Sequence, residues 1–284
     1  MLTIAVQKSG RLSDKTLHLL KECGIYFENG GQEKLITRAN NFPLTILFLR
    51  DDDIPECVAD NIADAGVIGE NILIEKGKDL TIEERLGFAK CRLSIAVPKA
   101  MNYQSVKDLN GLKIATSYPK ILSDFLEQNT ISAEIHEING SVEIAPGIGM
   151  ADVIFDIVST GSTLLSNGLI EVETVMHSEA VVVSRKDLPA EKRDIFNKLL
   201  FRIRAVRKAA NFKYILLNTP DEKIPDICAI LPGMKSPTIM PLAIPGWSSL
   251  HSVIREDDFW EIIENLKENG AQGILVIPIE KMIL

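Results

Sequence analysis

Asp152-Val153-Ile154-Phe155-Asp156-Ile157-Val158-Ser159-Thr160-Gly161-Ser162-Thr163-Leu164 is the stretch on which the reading turns. The apolar run from Val153 to Val158 predicts a buried strand that carries one carboxylate, Asp156. Five small or hydroxyl residues, Ser159, Thr160, Gly161, Ser162 and Thr163, end it. Leu164 and Leu165 then open a short helix that Asn167-Gly168 closes. Strand, hydroxyl-rich turn and helix start together present free backbone N–H groups and hydroxyls to one point, a geometry that binds phosphate. Gly161 lets the backbone approach an anion closely. A turn that merely caps a helix uses the same residue types. Asp156 distinguishes the two readings, because a carboxylate beside a phosphate-binding turn suits a ligand with both a phosphate and a diol, such as a ribose 5-phosphate. No Gly-Lys-Ser/Thr follows, so this is not the nucleoside-triphosphate P-loop.

The chain has 284 residues, 46% of them hydrophobic and 25% charged, enough for two or three packed units. Its net charge of −8 argues against a nucleic-acid surface. An acidic protein that takes anionic substrates has to concentrate its cations locally. Four scattered cysteines, with no Cys-x-x-Cys, argue against a disulfide framework or zinc site and fit a reducing, cytoplasmic setting. Leu2 to Val6 reads as a strand, not as a signal peptide, and no apolar run is long enough to predict a membrane span.

Several other strand ends carry charge. Lys8 and Arg11 flank Gly10 after the first strand, where ligands gather in α/β units, although solvated surface charge is the alternative. Arg50-Asp51-Asp52-Asp53-Ile54-Pro55 follows the strand Leu44 to Leu49. Asp53 is placed to cap a helix with Pro55 in its first turn, and Asp51 or Asp52 to orient Arg50; a divalent metal is the other use of three acids. Glu70 ends the strand Ala63 to Ile68, either as a site residue or as a carboxylate at a helix N-terminus. Tyr118 follows the strand Leu112 to Ala115 and either stacks on a base or packs a loop. A long β segment, Glu171 to Val183, and a helix, Leu188 to Ala210, come next. From residue 212 the order becomes strand, helix, strand, strand, helix, strand, a ferredoxin-like βαββαβ unit with no catalytic cluster. The expected organisation is therefore lobe I at 1–90 plus 183–211, lobe II at 91–182 and a C-terminal unit at 212–284.

Gln7-Lys8-Ser9-Gly10-Arg11-Leu12, Arg50 to Pro55, Gly69-Glu70-Asn71, Ala115-Thr116-Ser117-Tyr118-Pro119, Asn139-Gly140-Ser141-Val142-Glu143 and Asp156 to Thr163, in that order, resemble the long form of the ATP phosphoribosyltransferase family. Leu231-Pro232-Gly233, Ser236-Pro237-Thr238 and Ile277-Pro278-Ile279-Glu280-Lys281-Met282 extend the match through the C-terminal unit. The resemblance implies a two-lobed, type II periplasmic-binding-protein-like α/β fold. It implies transfer of phosphoribosyl from phosphoribosyl pyrophosphate (PRPP) to N1 of ATP, with Mg2+ riding mainly on substrate phosphates. Asp156, Ser159, Thr160, Gly161, Ser162, Thr163 and Arg50 are the expected PRPP contacts, Lys8, Arg11 and Glu70 the catalytic set, and these three with Tyr118 the ATP contacts. It further implies feedback inhibition by histidine at Asn218, Met234, Thr238 and Gly273, and dimers that assemble into hexamers. Position 218 is an acid in some relatives and Asn here, which changes the partner offered to the α-amino group of histidine.

Overall fold

A computed structural model describes residues 1–28, 35–231 and 233–283, so Pro232 of the quoted motif lies outside the described residues. The chain runs β1 (Leu2–Gln7), α1 (Arg11–Glu22), β2 (Ile36–Arg38), β3 (Leu44–Leu49), α2 (Ile54–Ala59), β4 (Ala65–Gly69), α3 (Glu70–Lys76) and β5 (Thr81–Arg85). It continues with β6 (Cys91–Pro98), β7 (Lys113–Thr116), α4 (Pro119–Gln128), β8 (Glu134–Glu137), β9 (Val153–Val158) and α5 (Ser162–Ser166). Then come β10 (Leu169–Ser178), β11 (Ala180–Ser184), α6 (Ala190–Ala210), β12 (Phe212–Pro220) and α7 (Ile224–Ile230), followed by β13 (Thr238–Pro241), β14 (Trp247–Arg255), α8 (Glu256–Glu268) and β15 (Gln272–Pro278).

Lobe I is the sheet β2-β3-β1-β4-β11-β5. Its centre, β3-β1-β4, is parallel, and the β1 residues Leu2, Ile4, Ala5 and Val6 are fully buried, as expected for strands covered on both faces. Parallel pairing sets the ends of β1, β3 and β4 at one edge of the sheet. Gln7 pairs with Leu49, so Lys8 and Arg50 leave neighbouring strands side by side, and the Lys8 N–H donates to the Leu49 carbonyl at 2.8 Å.

Lobe II is the sheet β10-β6-β9-β7-β8. Alternation along β9 divides its core: Val153 and Phe155 pack with Leu122 and Leu126 of α4, while Ile154 and Val158 pack with Val142 and Leu164. Asp156 shares parity with Ile154 and Val158, so it stands on the side of the sheet that carries the turn.

The single β segment expected at Glu171 to Val183 is two strands in two sheets. β10 pairs with β6 as far as Ser178–Cys91, and β11 pairs with β4 and β5 from Ala180. Glu179 alone separates them, and its carboxylate accepts from the Gly87 N–H at 2.7 Å on the other crossing of the chain. Lobe I therefore resumes at residue 180, not 183, because strand pairing rather than apolar composition decides where a sheet ends. The chain forms two compact units, Met1–His18 with Ile25–Phe196 and Leu19–Gly24 with Asn197–Leu284. Most of α6 thus groups with the C-terminal residues, and within that unit Arg202 donates to the Cys23 carbonyl.

Asp53 does not cap α2. Its backbone is already helical, in a 3-10 turn Asp51–Asp53, and its side chain makes no cap bond. The C-terminal unit has the expected βαββαβ order, with strand order β13-β14-β12-β15 and Ile215, Leu217, Leu250, Phe259 and Leu266 in its core. The four cysteines are free. Among the described residues no helix is long and apolar enough to cross a membrane.

Phe155 is fully buried in β9 immediately before Asp156. Phe155→Ala should lower unfolding stability by about 3–5 kcal/mol through the cavity it leaves. Urea titration reads this directly, and an unchanged midpoint would remove β9 from the core of lobe II.

Candidate active site

The turn after β9 does not spend its hydroxyls on capping. Gly161 takes the N-terminal cap position of α5 at φ +80, in the left-handed region that glycine adopts without strain, and makes no side-chain cap bond there. Thr160 and Ser162 share a hydroxyl–hydroxyl bond of 3.0 Å, while the Ser159 and Thr163 hydroxyls have no partner among the described residues. Glu143, Asp156, Ile157, Val158, Ser159, Thr160, Gly161, Thr163 and Leu164 enclose a cavity of about 210 Å³. The expected PRPP residues Asp156, Ser159, Thr160, Gly161 and Thr163 therefore come together; Ser162 is held through Thr160 and does not line the space.

Burial pushes the Asp156 carboxyl up from its ordinary 3.8 to about 6; the Ile157 N–H opposes the rise and Glu143 adds to it. A desolvated carboxylate beside a second acid is an acceptor poised for donors that a ligand brings. Glu143 reaches the site from a one-turn 3-10 helix, Val142–Ile144, that strand and helix patterns do not reveal.

A second cavity, about 280 Å³, lies between the lobes and is lined by Asp51, Asp52, Glu75, Ser117, Tyr118 and Asn139 among others. Three motifs far apart in sequence thus meet in one space. The Tyr118 ring packs in the lobe II core with 8% exposure. Its phenol accepts from Asn71 Nδ2 at 3.2 Å, and burial, then Asp156 and Asp51, push its pKa up, so it stays neutral.

Helix α3 holds that region together. Asn71 is buried; Ser178 Oγ donates to its Oδ1 at 2.8 Å and accepts from its backbone N–H at 3.1 Å. A Cβ at residue 69 would lie 2.4 Å from Asn71 Oδ1, which explains Gly69. Glu75 accepts the N–H groups of Lys120 and Ile121 at 2.9 and 3.0 Å, capping α4 from the other lobe. Neither Asn71 nor Glu75 was identifiable as a bridge in the sequence, because each acts on a partner more than forty residues away.

Glu70 sits elsewhere. It heads α3 and makes a two-pronged pair with Arg85, in a third cavity of about 210 Å³ with Lys90, Cys91, His177, Ser178 and Glu179. It lines neither of the first two cavities. Lys8, Arg11 and Arg50 are exposed, and none is paired with a carboxylate among the described residues; the expected bond from Asp51 or Asp52 to Arg50 is not formed, and Asp52 approaches Lys76 at 3.4 Å instead. The described residues contain no cluster of three acids, histidines or cysteines that could hold a metal ion, so Asp51-Asp52-Asp53 is not a preformed metal centre.

In the C-terminal unit the four expected histidine contacts fall into two pairs. Asn218 Nδ2 lies 3.4 Å from where a Cβ on Gly273 would be. Met234 and Thr238 line a cavity of about 370 Å³ with Tyr214, Lys235, Ser236, His251, Ser252 and Val253. Asn218 pairs with Ser249 and Thr238 with His251, two positions along β14, so both stand on one face of the sheet. Ser252, opposite core residue Ile215, stands on the other face of β14, and its buried Oγ has no hydrogen-bond partner among the described residues.

A family model described as ATP phosphoribosyltransferase matches residues 50–205, and one described as HisG, C-terminal domain, matches residues 209–281. The chain is 60% identical over 283 residues to the ATP phosphoribosyltransferase of Cytophaga hutchinsonii, covering 100% of this chain and 99% of that one. It is 56% identical over 284 residues to the ATP phosphoribosyltransferase of Phocaeicola vulgatus, covering all of both. Among solved structures, a chain of the ATP phosphoribosyl transferase (HisG:HisZ) complex from Thermotoga maritima superposes with a TM-score of 0.63 at 27% identity, covering 72% of this chain and 97% of that one.

Because burial raises the Asp156 pKa, its ionised form costs the ligand-free fold stability. The carboxyl is neutral in both states below about pH 4, and the cost grows as pH rises to the native value near 6. Asp156→Asn should therefore stabilise the ligand-free protein by about 1–3 kcal/mol at pH 7–8. That gain should shrink towards zero near pH 4. Urea unfolding of both proteins across this range checks it; a difference independent of pH would mean that the carboxylate is not desolvated.

Proposed function

The chain belongs to the ATP phosphoribosyltransferase family and transfers the 5-phosphoribosyl group of PRPP to N1 of ATP, the first step of histidine biosynthesis; on that premise we propose that the turn Ser159 to Thr163 with Asp156 is its PRPP site. The observation that carries the assignment is the 210 Å³ cavity in which unspent hydroxyls and a half-buried carboxylate face the same space. The turn donates to the 5-phosphate and Asp156 accepts from the ribose hydroxyls. N1 of adenine attacks C1 of the ribose, a C–N bond forms, and the C1–O bond to pyrophosphate breaks with its electron pair. The N1 lone pair is already free, so the step needs positioning and charge stabilisation more than a general base. Lys8, Arg11 and Arg50, unpaired at the edge of lobe I, take the pyrophosphate and triphosphate charges. Tyr118 contacts ATP from the cavity between the lobes. Glu70 acts from its pair with Arg85, steadying the substrate assembly rather than moving a proton.

Mg2+, bound with the substrates, would supply charge neutralisation at the pyrophosphate. It would be held mainly by substrate phosphates, with one or two carboxylates at most. In the C-terminal unit, the cavity at Met234 and Thr238 supports an L-histidine site that also takes in Asn218, on the same face of the sheet as Thr238, and Gly273. Dimers, and hexamers on inhibition, and a cytoplasmic location complete the reading.

A purified-protein assay with ATP and PRPP, following the ultraviolet absorbance of the product, should show turnover. Asp156→Ala and Thr160→Ala should each lower kcat/KM for PRPP by about 10- to 100-fold without lowering the unfolding midpoint. Full activity in both variants would remove the turn from the site. L-histidine should inhibit the wild type. Asn218→Asp should lower the histidine concentration for half-inhibition about tenfold, since an ionised acceptor holds the α-amino group more strongly. An unchanged value would place the amino group elsewhere.

A further inference from the structure

We infer that Arg92 is a positioning residue for PRPP binding, fixing the backbone of the phosphate turn through the carbonyl of Ser159. The inference rests on the reading of that turn as the PRPP site. Arg92 lies on β6 opposite Val158 in register, and Ser94 lies opposite Asp156, so both stand beside the end of β9. Its guanidinium is immobilised from β10: Nε and Nη2 both donate to the carboxylate of Glu171. That carboxylate is itself held by Ser94 Oγ at 2.7 Å and Thr174 Oγ1 at 3.3 Å. The remaining arm, Nη1, donates to the Ser159 carbonyl oxygen at 3.2 Å.

The consequence follows from peptide geometry. In a planar trans peptide the carbonyl and the next N–H point to opposite sides. Tying the Ser159 oxygen to Arg92 therefore turns the Thr160 N–H away from Arg92. Ser159, Thr160 and Gly161 line the phosphate cavity, whereas Arg92 and Glu171 do not, so the brace stands behind the turn. Glu171 neutralises the arginine, which makes its contribution one of geometry and not of added positive charge at the ligand. The Arg92 hydrogen bonds, the largest cause, hold the Glu171 carboxyl below its ordinary range, so the pair stays ionised at neutral pH. The turn contains a left-handed glycine and has no side-chain cap, so an external tether at its first residue removes conformations that a ligand would otherwise have to select against. Lysine cannot replace this device, because one ammonium lacks the rigid fork that grips a carboxylate and a carbonyl together.

The test uses full-length wild type, Arg92→Ala, Arg92→Lys and Glu171→Gln, with calorimetric binding of ribose 5-phosphate, PRPP and ATP and steady-state kinetics for both substrates. Arg92→Ala should weaken ribose 5-phosphate and PRPP binding about tenfold or more. Its affinity for ATP should stay within about twofold, as expected for a site without the altered peptide. The KM for PRPP should rise while the KM for ATP holds. Arg92→Lys should recover little of the loss, and Glu171→Gln should show a smaller defect of the same pattern. Wild-type affinity for both phosphoribosyl ligands in Arg92→Ala and Glu171→Gln would overturn the inference, as would equal losses for ATP and PRPP, which mark a merely structural role. A wild type that turns over ATP and PRPP but binds no ribose 5-phosphate would overturn the reading of the turn, and this inference with it.

Discussion

A carboxylate held at the end of a buried strand, against its own preference for water, is the constraint on which the site depends. Asp156 follows fully buried Phe155 and precedes buried Val158, so it cannot move out without taking β9 with it. Its pKa near 6 records the cost. The strand is fixed on both sides, antiparallel to β6 and parallel to β7, and that rigidity lets a short turn of small residues keep its shape without side-chain caps. Stability of the core and readiness of the site are thus in opposition at one residue, the pattern expected where a protein keeps an acceptor waiting for a ligand.

The second requirement is that positive charge be concentrated in a protein of net charge −8. Parallel pairing of β1 and β3 does this without a basic sequence cluster, since it sets Lys8 and Arg50 side by side although they are 42 positions apart. Other basic residues of the same unit are committed: Arg85 to Glu70, Arg92 to Glu171 and Lys192 to Asp64. Exposed, unpaired cations remain available to phosphates, while paired ones shape the backbone. This division matters more than the number of Lys and Arg residues, because exposed pairs add little stability but a paired arginine makes a rigid fork.

Helix α3 joins these parts. One turn and a half of helix supplies Asn71 to Tyr118 and Ser178, and Glu75 to the N-terminus of α4. These bonds are largely buried or charge-assisted, so they hold direction as well as distance. Asn71 bonds to Tyr118 at one cavity and to Ser178, next to the crossing at Glu179, so one side chain ties the two places together.

The sequence by itself determined the strand–turn–helix at 153–166, the charged strand ends, the two α/β lobes and the βαββαβ unit, because periodicity and turn chemistry are local properties. It also placed Asp156, Ser159, Thr160, Gly161 and Thr163 in one site, since they are neighbours in the chain and need no long-range contact to meet. Tertiary structure decided everything that depends on pairing at a distance. It divided the β segment 171–183 between two sheets at Glu179, a residue no hydrophobic pattern marks. It turned the Tyr118 ring into the core, spent Glu70 on Arg85, and brought Glu143 beside Asp156 and Arg92 behind Ser159. A side chain's partner is set by strand register and helix packing, and those are fixed only when the whole chain has chosen which surfaces to bury.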